Sequence, residues 1–275
     1  MSTKLEVLGQ KILQRIHRHD ENQGGVLTET TGGMGSGKTS IGLSFANYTM
    51  NNYPKEKIFW SECYNTPLQF YKLKRPEKYH IMVRKNSNVV FRDRNNKLQL
   101  INLKPTYFES FSDMYQYAKP GKLNIVFLGN RLDQMKLDMH LRSVGEWVHK
   151  YCEEFSEIAP MFPRGELWHL VKKYAAVLKD VRKCMMNLHY NTQQVSDIYY
   201  ECRNKVMIKI FLPGAYKDKN CRVTQRAIDN LQRDKHNGNE AYLVEGGEFG
   251  KVRFGDIFEP NKDYHYEAHI NIKED

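Results

Sequence analysis

The chain has 275 residues, 40% of them hydrophobic and 12% aromatic, which is enough for a packed core in one large α/β domain or two small ones and excludes a disordered chain. Its formal net charge of +10 favours polyanions, because a cationic surface attracts phosphate backbones without reading their sequence. No stretch approaches the roughly 18 consecutive apolar residues of a membrane span, and the N-terminus MSTKLEVLGQKILQRIHRHD lacks the apolar block and cleavage site of a signal peptide, so the expected location is the cytoplasm.

The five cysteines, Cys63, Cys152, Cys184, Cys202 and Cys221, contain no C-x-x-C pair. They suggest neither a zinc knuckle nor a disulfide framework, and read as buried free thiols.

In chain order, Leu5, Leu8, Ile12 and Ile16 recur at helical spacing with cations between them, which predicts an amphipathic N-terminal helix within residues 1–20 that packs on the core or on a subunit. VLTETT then reads as a strand, and KTSIGLSFANYTM as a helix with Ile41, Phe45 and Tyr48 on one side. KIFWSE, residues 57–62, is a second strand. Residues 88–101 predict a hairpin turning near Asn95 and Asn96, within a β insertion over 75–110. Pro120 and Gly121 mark a turn before a buried strand from Leu123 to Leu128.

Leu137, Leu141, Val144, Val148 and Tyr151 predict a helix over 135–151, and Leu167, Val171, Tyr174, Leu178 and Val181 another over 166–182. CMMNLHYNTQ and KVMIKIFLPGA read as further strands. An extension over 216–275 carries a hairpin turning at Gly246 and Gly247. Trp60, Trp147 and Trp168 read as core residues. Apolar strands alternating with helices imply an α/β fold with a mostly parallel sheet covered by helices on both faces, plus small β-hairpin additions, in a single domain over 1–275. The pattern Gly32-x-x-x-x-Gly37-Lys38-Thr39 between the first strand and its helix makes the expected core that of a P-loop NTPase.

The stretch ETTGGMGSGKTS carries the chemistry. Gly32-x-x-x-x-Gly37-Lys38-Thr39 is a complete P-loop pattern between a strand and a helix. Glycines permit positive φ and close approach, so the backbone N–H groups from Gly32, Gly33, Met34, Gly35, Ser36, Gly37, Lys38, Thr39 and Ser40 can surround phosphate oxygens. The helix dipole adds to this, Lys38 reaches the β- and γ-phosphates, and the Thr39 hydroxyl ligates Mg²⁺. ATP and Mg²⁺ are therefore the expected ligands. The loop does not identify an activity, since kinases, GTPases, motors and helicases share it. No N-K-x-D base-recognition element and no compact arginine-rich lid follows, which counts against a GTPase or a small nucleotide kinase.

The segments SEIAPMFP (156–163) and DVRKCMMNLHYNTQQVSDI downstream of the loop resemble, in order and spacing, those of the FtsK–HerA superfamily of P-loop ATPases, including its Zot-like and viral genome-packaging branches, over about residues 26–215. The resemblance implies that Glu157 orients the attacking water, that Gln193 senses the γ-phosphate, and that Arg182, or alternatively Arg203, acts on a neighbouring subunit's nucleotide. The family's Mg²⁺-associated aspartate is Ser156 here. Either Glu153 or Glu154 substitutes for it, or the site binds ATP and turns it over slowly. The implied function is an ATPase working as a homo-oligomeric ring on nucleic acid, double-stranded DNA in the first instance. The alternatives are a Zot-like assembly or export module acting on viral or plasmid protein partners, a small-molecule kinase, and a nucleotide-binding scaffold.

Overall fold

The computed structural model describes residues 3–20, 22–62, 68–71, 76–92, 104–128, 131–219, 221–234, 238–254 and 265–272. In chain order the elements are α1 (Lys4–Ile16), β1 (Leu27–Thr31), α2 (Lys38–Asn52), β2 (Lys57–Glu62), β3 (Leu68–Tyr71), β4 (Tyr79–Arg84), β5 (Ser87–Arg92), β6 (Thr106–Phe108), α3 (Phe111–Tyr117), β7 (Leu123–Phe127) and α4 (Arg131–Arg142). They continue with β8 (Val148–Cys152), α5 (Phe155–Ile158), α6 (Glu166–Asp180), β9 (Met186–Thr192), α7 (Tyr200–Arg203), β10 (Ile208–Phe211), α8 (Gln225–Asp229), β11 (Asn239–Glu245), β12 (Glu248–Phe254) and β13 (His265–Ile272).

Ten strands form one sheet in the order β12-β11-β10-β1-β9-β8-β2-β7-β4-β6. Every pairing from β10 to β6 is parallel, and the two antiparallel pairings are those of β11 with β10 and with β12 at one edge. Strand alternation splits the core into two layers. Ile58 and Trp60 of β2 face Ile41 and Phe45 of α2, while Phe59 faces the layer built with Leu137 of α4 and Val171, Tyr174 and Leu178 of α6. β1 is buried along its whole length, as a central parallel strand covered on both faces must be. The fold is α/β with a mostly parallel sheet between helices, as the alternating elements predict.

Several local expectations change. The spacing that predicts a helix over 135–151 continues past the end of α4: the chain turns at Gly145, with φ 71°, and Val148 and Tyr151 lie on β8. This strand is hard to read because two of its buried positions are His149 and Lys150. Partners make their burial tolerable: His149 lies against Glu56, and Lys150 is ion-paired with Asp138. Tyr174 and Tyr190 also donate their hydroxyls to Asp138, so α4, α6, β8 and β9 share one sealed polar knot.

Of the three tryptophans only Trp60 is core. Trp168 is 38% exposed with the Lys172 ammonium 3.9 Å above its ring, and Trp147 is half-buried against His19. Tyr48 is likewise 45% exposed. In α1, Ile12 and Ile16 are buried while Leu5 lies at the surface, and the helix packs on β12 and β11. Residues 75–110 supply β4 and β6 to the main sheet, whereas β5 pairs with β13 in a separate three-stranded sheet β3-β13-β5. The turn expected at Asn95 and Asn96 lies outside the described residues, as does Cys63. The hairpin of β11 and β12 turns at Gly246 and Gly247. No helix among the described residues is long and apolar enough to cross a membrane.

Candidate active site

β1 runs directly into the glycine loop, and α2 starts at its end. Gly35 and Gly37 hold φ of 69° and 92°, conformations that an L side chain disfavours, so glycine is required there. Gly37 caps α2 without a side-chain hydrogen bond, and the first turn carries no acid. The helix N-terminus is therefore open to an anion.

Lys38 folds over the loop and donates from Nζ to the carbonyls of Gly32 at 2.8 Å and Gly33 at 3.2 Å. Burial lowers its pKa, and the nearby charges of Glu154 and Glu153 pull it back up. Two residues far along the chain brace the loop. Asn239 Nδ2 donates to the Ser36 carbonyl at 2.8 Å, and the Arg233 guanidinium donates to the carbonyls of Met34 at 3.4 Å and Pro213 at 3.5 Å.

The acids come from β8, which is separated from β1 only by β9. All three strands end at the same edge of the sheet, where parallel α/β folds place their ligands. Glu153, just after β8, has its pKa raised by burial and opposed by Asn191, Thr39 and Lys38. No group meets its buried Oε1 at normal hydrogen-bond geometry, and the same holds for Ser36 Oγ. An unpaired buried carboxylate oxygen beside a threonine and a lysine suits a cation ligand, since such an oxygen is costly to leave unmatched. Thr39 and Glu153 thus fit Mg²⁺.

Glu154 is the single non-glycine residue with positive φ among those described, at 47°. Its Oε1 accepts from Ser156 Oγ at 2.7 Å. Strained backbone of this kind persists where the surroundings over-determine it, typically at functional positions.

Among solved structures, the genome packaging NTPase B204 from Sulfolobus turreted icosahedral virus 2 in complex with ATP-gammaS is similar at TM-score 0.51 and 10% identity, covering 86% of this chain and 98% of that chain. The same NTPase in complex with sulfate gives TM-score 0.50 at 10% identity, covering 83% and 96%. The fold is that of a P-loop NTPase. The N-terminal domain of zonular occludens toxin from Neisseria meningitidis is a looser likeness, with TM-score 0.39 and 11% identity over 84% of this chain and 94% of that chain. No protein-family model and no curated protein matches the sequence.

Within this NTPase fold the expected site residues are dispersed. Gly32 to Gly37 form the loop, with Met34 84% exposed, and Lys38 to Ser40 open α2. Gln193 is exposed just past the end of β9, the strand that lies between β1 and β8. Glu157 is exposed in α5, with its N–H bonded to the Glu154 carbonyl at 3.0 Å. The residues near Lys38 are Glu153 and Glu154, three positions earlier than Ser156 and Glu157. Arg182 lies in the helical turn before β9, at the opposite edge of the sheet, roughly 20 Å away by strand length. Arg203 Nε stands 3.6 Å from Asp218, which Lys209 also engages, and it lines a cavity of about 600 Å³ with Tyr216 and Lys217. Sequence reasoning misses Arg233, Asn239 and Asn191, because no local pattern links them to a loop some 150 to 200 residues earlier.

Proposed function

We propose that this chain is a Mg²⁺-dependent ATPase of the FtsK–HerA type that works as a homo-oligomeric ring and moves double-stranded DNA, as in genome packaging. The observation that carries the reading is the convergence of Lys38, Glu153 and Glu154 at the ends of β1 and β8, with the Glu153 Oε1 left unpaired. The likeness to a genome packaging NTPase in complex with ATP-gammaS supports it at the level of fold. The net charge of +10 supports a polyanionic partner.

In this reading the loop amides and Lys38 hold the β- and γ-phosphates, and Thr39 and Glu153 hold Mg²⁺. Bound there, the metal neutralises charge on the phosphate oxygens. Glu154 takes the role of orienting the attacking water and receiving its proton, with Ser156 fixing its carboxylate. Gln193, just past β9, takes the role of reporting on the γ-phosphate. Arg233 adds a cation from the same chain. Arg182 is the candidate for a neighbouring subunit's nucleotide, since Arg203 is engaged by Asp218 within its own chain.

The test is ATP turnover with and without duplex DNA, together with mass in solution. DNA-stimulated hydrolysis by a ring, abolished by Lys38→Ala, is the expected result. A Lys38-dependent turnover indifferent to every nucleic acid would instead favour the Zot-like module acting on protein partners.

A further inference from the structure

At the other end of β8 from the acids, three side chains converge on one point. His19, in the segment that follows α1, places Nε2 2.8 Å from Glu56 Oε2, and His149 of β8 places its own Nε2 2.6 Å from the same oxygen. The two Nε2 atoms are 3.2 Å apart. Glu56 belongs to the turn that enters β2. Three segments distant in sequence thus present two imidazole nitrogens and one carboxylate oxygen to a common centre.

The His19 ring is held from three sides. Its Nδ1 lies 3.0 Å from the His17 carbonyl, which accepts the Nδ1 proton, and it stacks on Tyr53 at 3.7 Å and against Trp147 at 4.5 Å. That tautomer leaves a lone pair on Nε2 aimed at Glu56, another acceptor. Two facing lone pairs repel unless a cation lies between them. A metal-ligating histidine usually donates its other ring N–H to a carbonyl or carboxylate, as His19 Nδ1 does here. The side chain of His149 is 2% exposed, and the Asn187 Nδ2 group, 3.5 Å from its Nδ1, is too distant to fix which ring nitrogen carries the proton.

We propose that His19, Glu56 and His149 form a site for a divalent transition-metal ion of the zinc class, bound through both Nε2 atoms and the Glu56 carboxylate, with water completing the coordination. Two histidines and one glutamate are a known zinc donor set, and imidazole suits this class of ion over Mg²⁺ or Ca²⁺. Tetrahedral zinc with bonds of ~2.0–2.1 Å sets its ligand atoms about 3.3 Å apart. The present separations of 2.6 to 3.2 Å are shorter, so the donors spread on loading. The two Nε2 atoms are already near that separation, so Glu56, whose side chain is 18% exposed, is the ligand that shifts, and its side of the cluster is the route of entry. His149 is the fixed ligand. Four residues of strand, roughly 13 Å, separate this centre from Glu153. The ion would clamp the end of α1 to the entrances of β2 and β8, independently of the nucleotide site.

The experiment uses the full chain, stripped with chelator and re-equilibrated with zinc chloride in buffer containing Mg²⁺. One zinc retained per chain after gel filtration, a raised Tm on zinc addition that chelator reverses, and loss of both in folded His19→Ala and Glu56→Gln are expected. Affinity should fall more than about 100-fold in either variant, beyond the range of outer-shell partners. Cobalt substitution should give d–d bands without thiolate-to-cobalt charge transfer. The proposal is overturned if the wild type retains no zinc, if both variants bind it as the wild type does, or if the cobalt spectrum carries a thiolate band. In that case the cluster is a proton-bridged ion pair only.

Discussion

The Ser156 hydroxyl donates a 2.7 Å hydrogen bond to Glu154 Oε1 and so ties down the carboxylate of the glutamate two places before it. Glu154→Gln should lower the ATPase kcat by at least about 100-fold while leaving ATP affinity within a few-fold. Glu157→Gln should behave as wild type, and Ser156→Ala should cost about tenfold or less. Steady-state hydrolysis and equilibrium nucleotide binding on the three variants separate these outcomes; a silent Glu154→Gln beside an inactive Glu157→Gln would move the role back to Glu157.

Glu153 has a different signature, because it lies beside Thr39 and Lys38 with one oxygen unpaired. Glu153→Gln should raise the Mg²⁺ concentration needed for half-maximal turnover by about tenfold or more, as loss of a charged ligand or of an outer-shell partner does. The unliganded protein should not be destabilised, since burial already opposes that charge. Magnesium titrations of activity, paired with thermal melts without nucleotide, provide the check.

Lys150 and Asp138 are sealed from solvent together with the hydroxyls of Tyr174 and Tyr190. Lys150→Met leaves a buried carboxylate without its counter-charge and should cost about 3–5 kcal/mol. Lys150→Met combined with Asp138→Leu should recover much of that loss, because a buried pair replaced by apolar residues of similar volume is often neutral. Urea unfolding of the single and double variants measures both.

Burial pushes the Glu29 carboxyl up to about 7, against the pull of Lys209. The folded chain therefore holds this proton at pH values where the unfolded chain has released it. Its contribution to stability is fully present below the ordinary carboxylate range and is lost as pH rises through about 7. The change should be up to about 3 kcal/mol, and Glu29→Gln should remove that part of the slope. Denaturant midpoints of the two proteins at pH 5 to 8 give the difference directly.

In α1, Gly9 lies so close to β12 that a Cβ there would stand 2.4 Å from the Lys251 carbonyl oxygen. Helix propensity alone makes Gly9→Ala stabilising by about 1 kcal/mol. The contact reverses the sign, and a loss of about 1–3 kcal/mol is expected, as for other overpacked sites. A lower Tm for Gly9→Ala supports the docked helix; a higher one would mean that α1 does not pack there.

The phosphate loop was legible from residues alone because its chemistry is local. Gly35 and Gly37 supply the positive φ, Lys38 and Thr39 supply charge and hydroxyl, and all lie within a few positions between a strand and a helix. The layered α/β architecture was legible for the same kind of reason, since strand and helix periods repeat along the chain. The acidic half of the site was not. β8 hides its character because its buried residues His149 and Lys150 are partnered by Glu56, 93 residues earlier, and Asp138, 12 residues earlier. A strand whose polarity is cancelled by distant partners carries no periodic signal, so from the residues alone Glu153 and Glu154 enter only as substitutes for the missing aspartate, while Glu157 receives the water-orienting role. Arg233 and Asn239 were invisible for a related reason. Their link to the loop is made through the antiparallel edge of the sheet, and that neighbourhood exists only once the chain has folded.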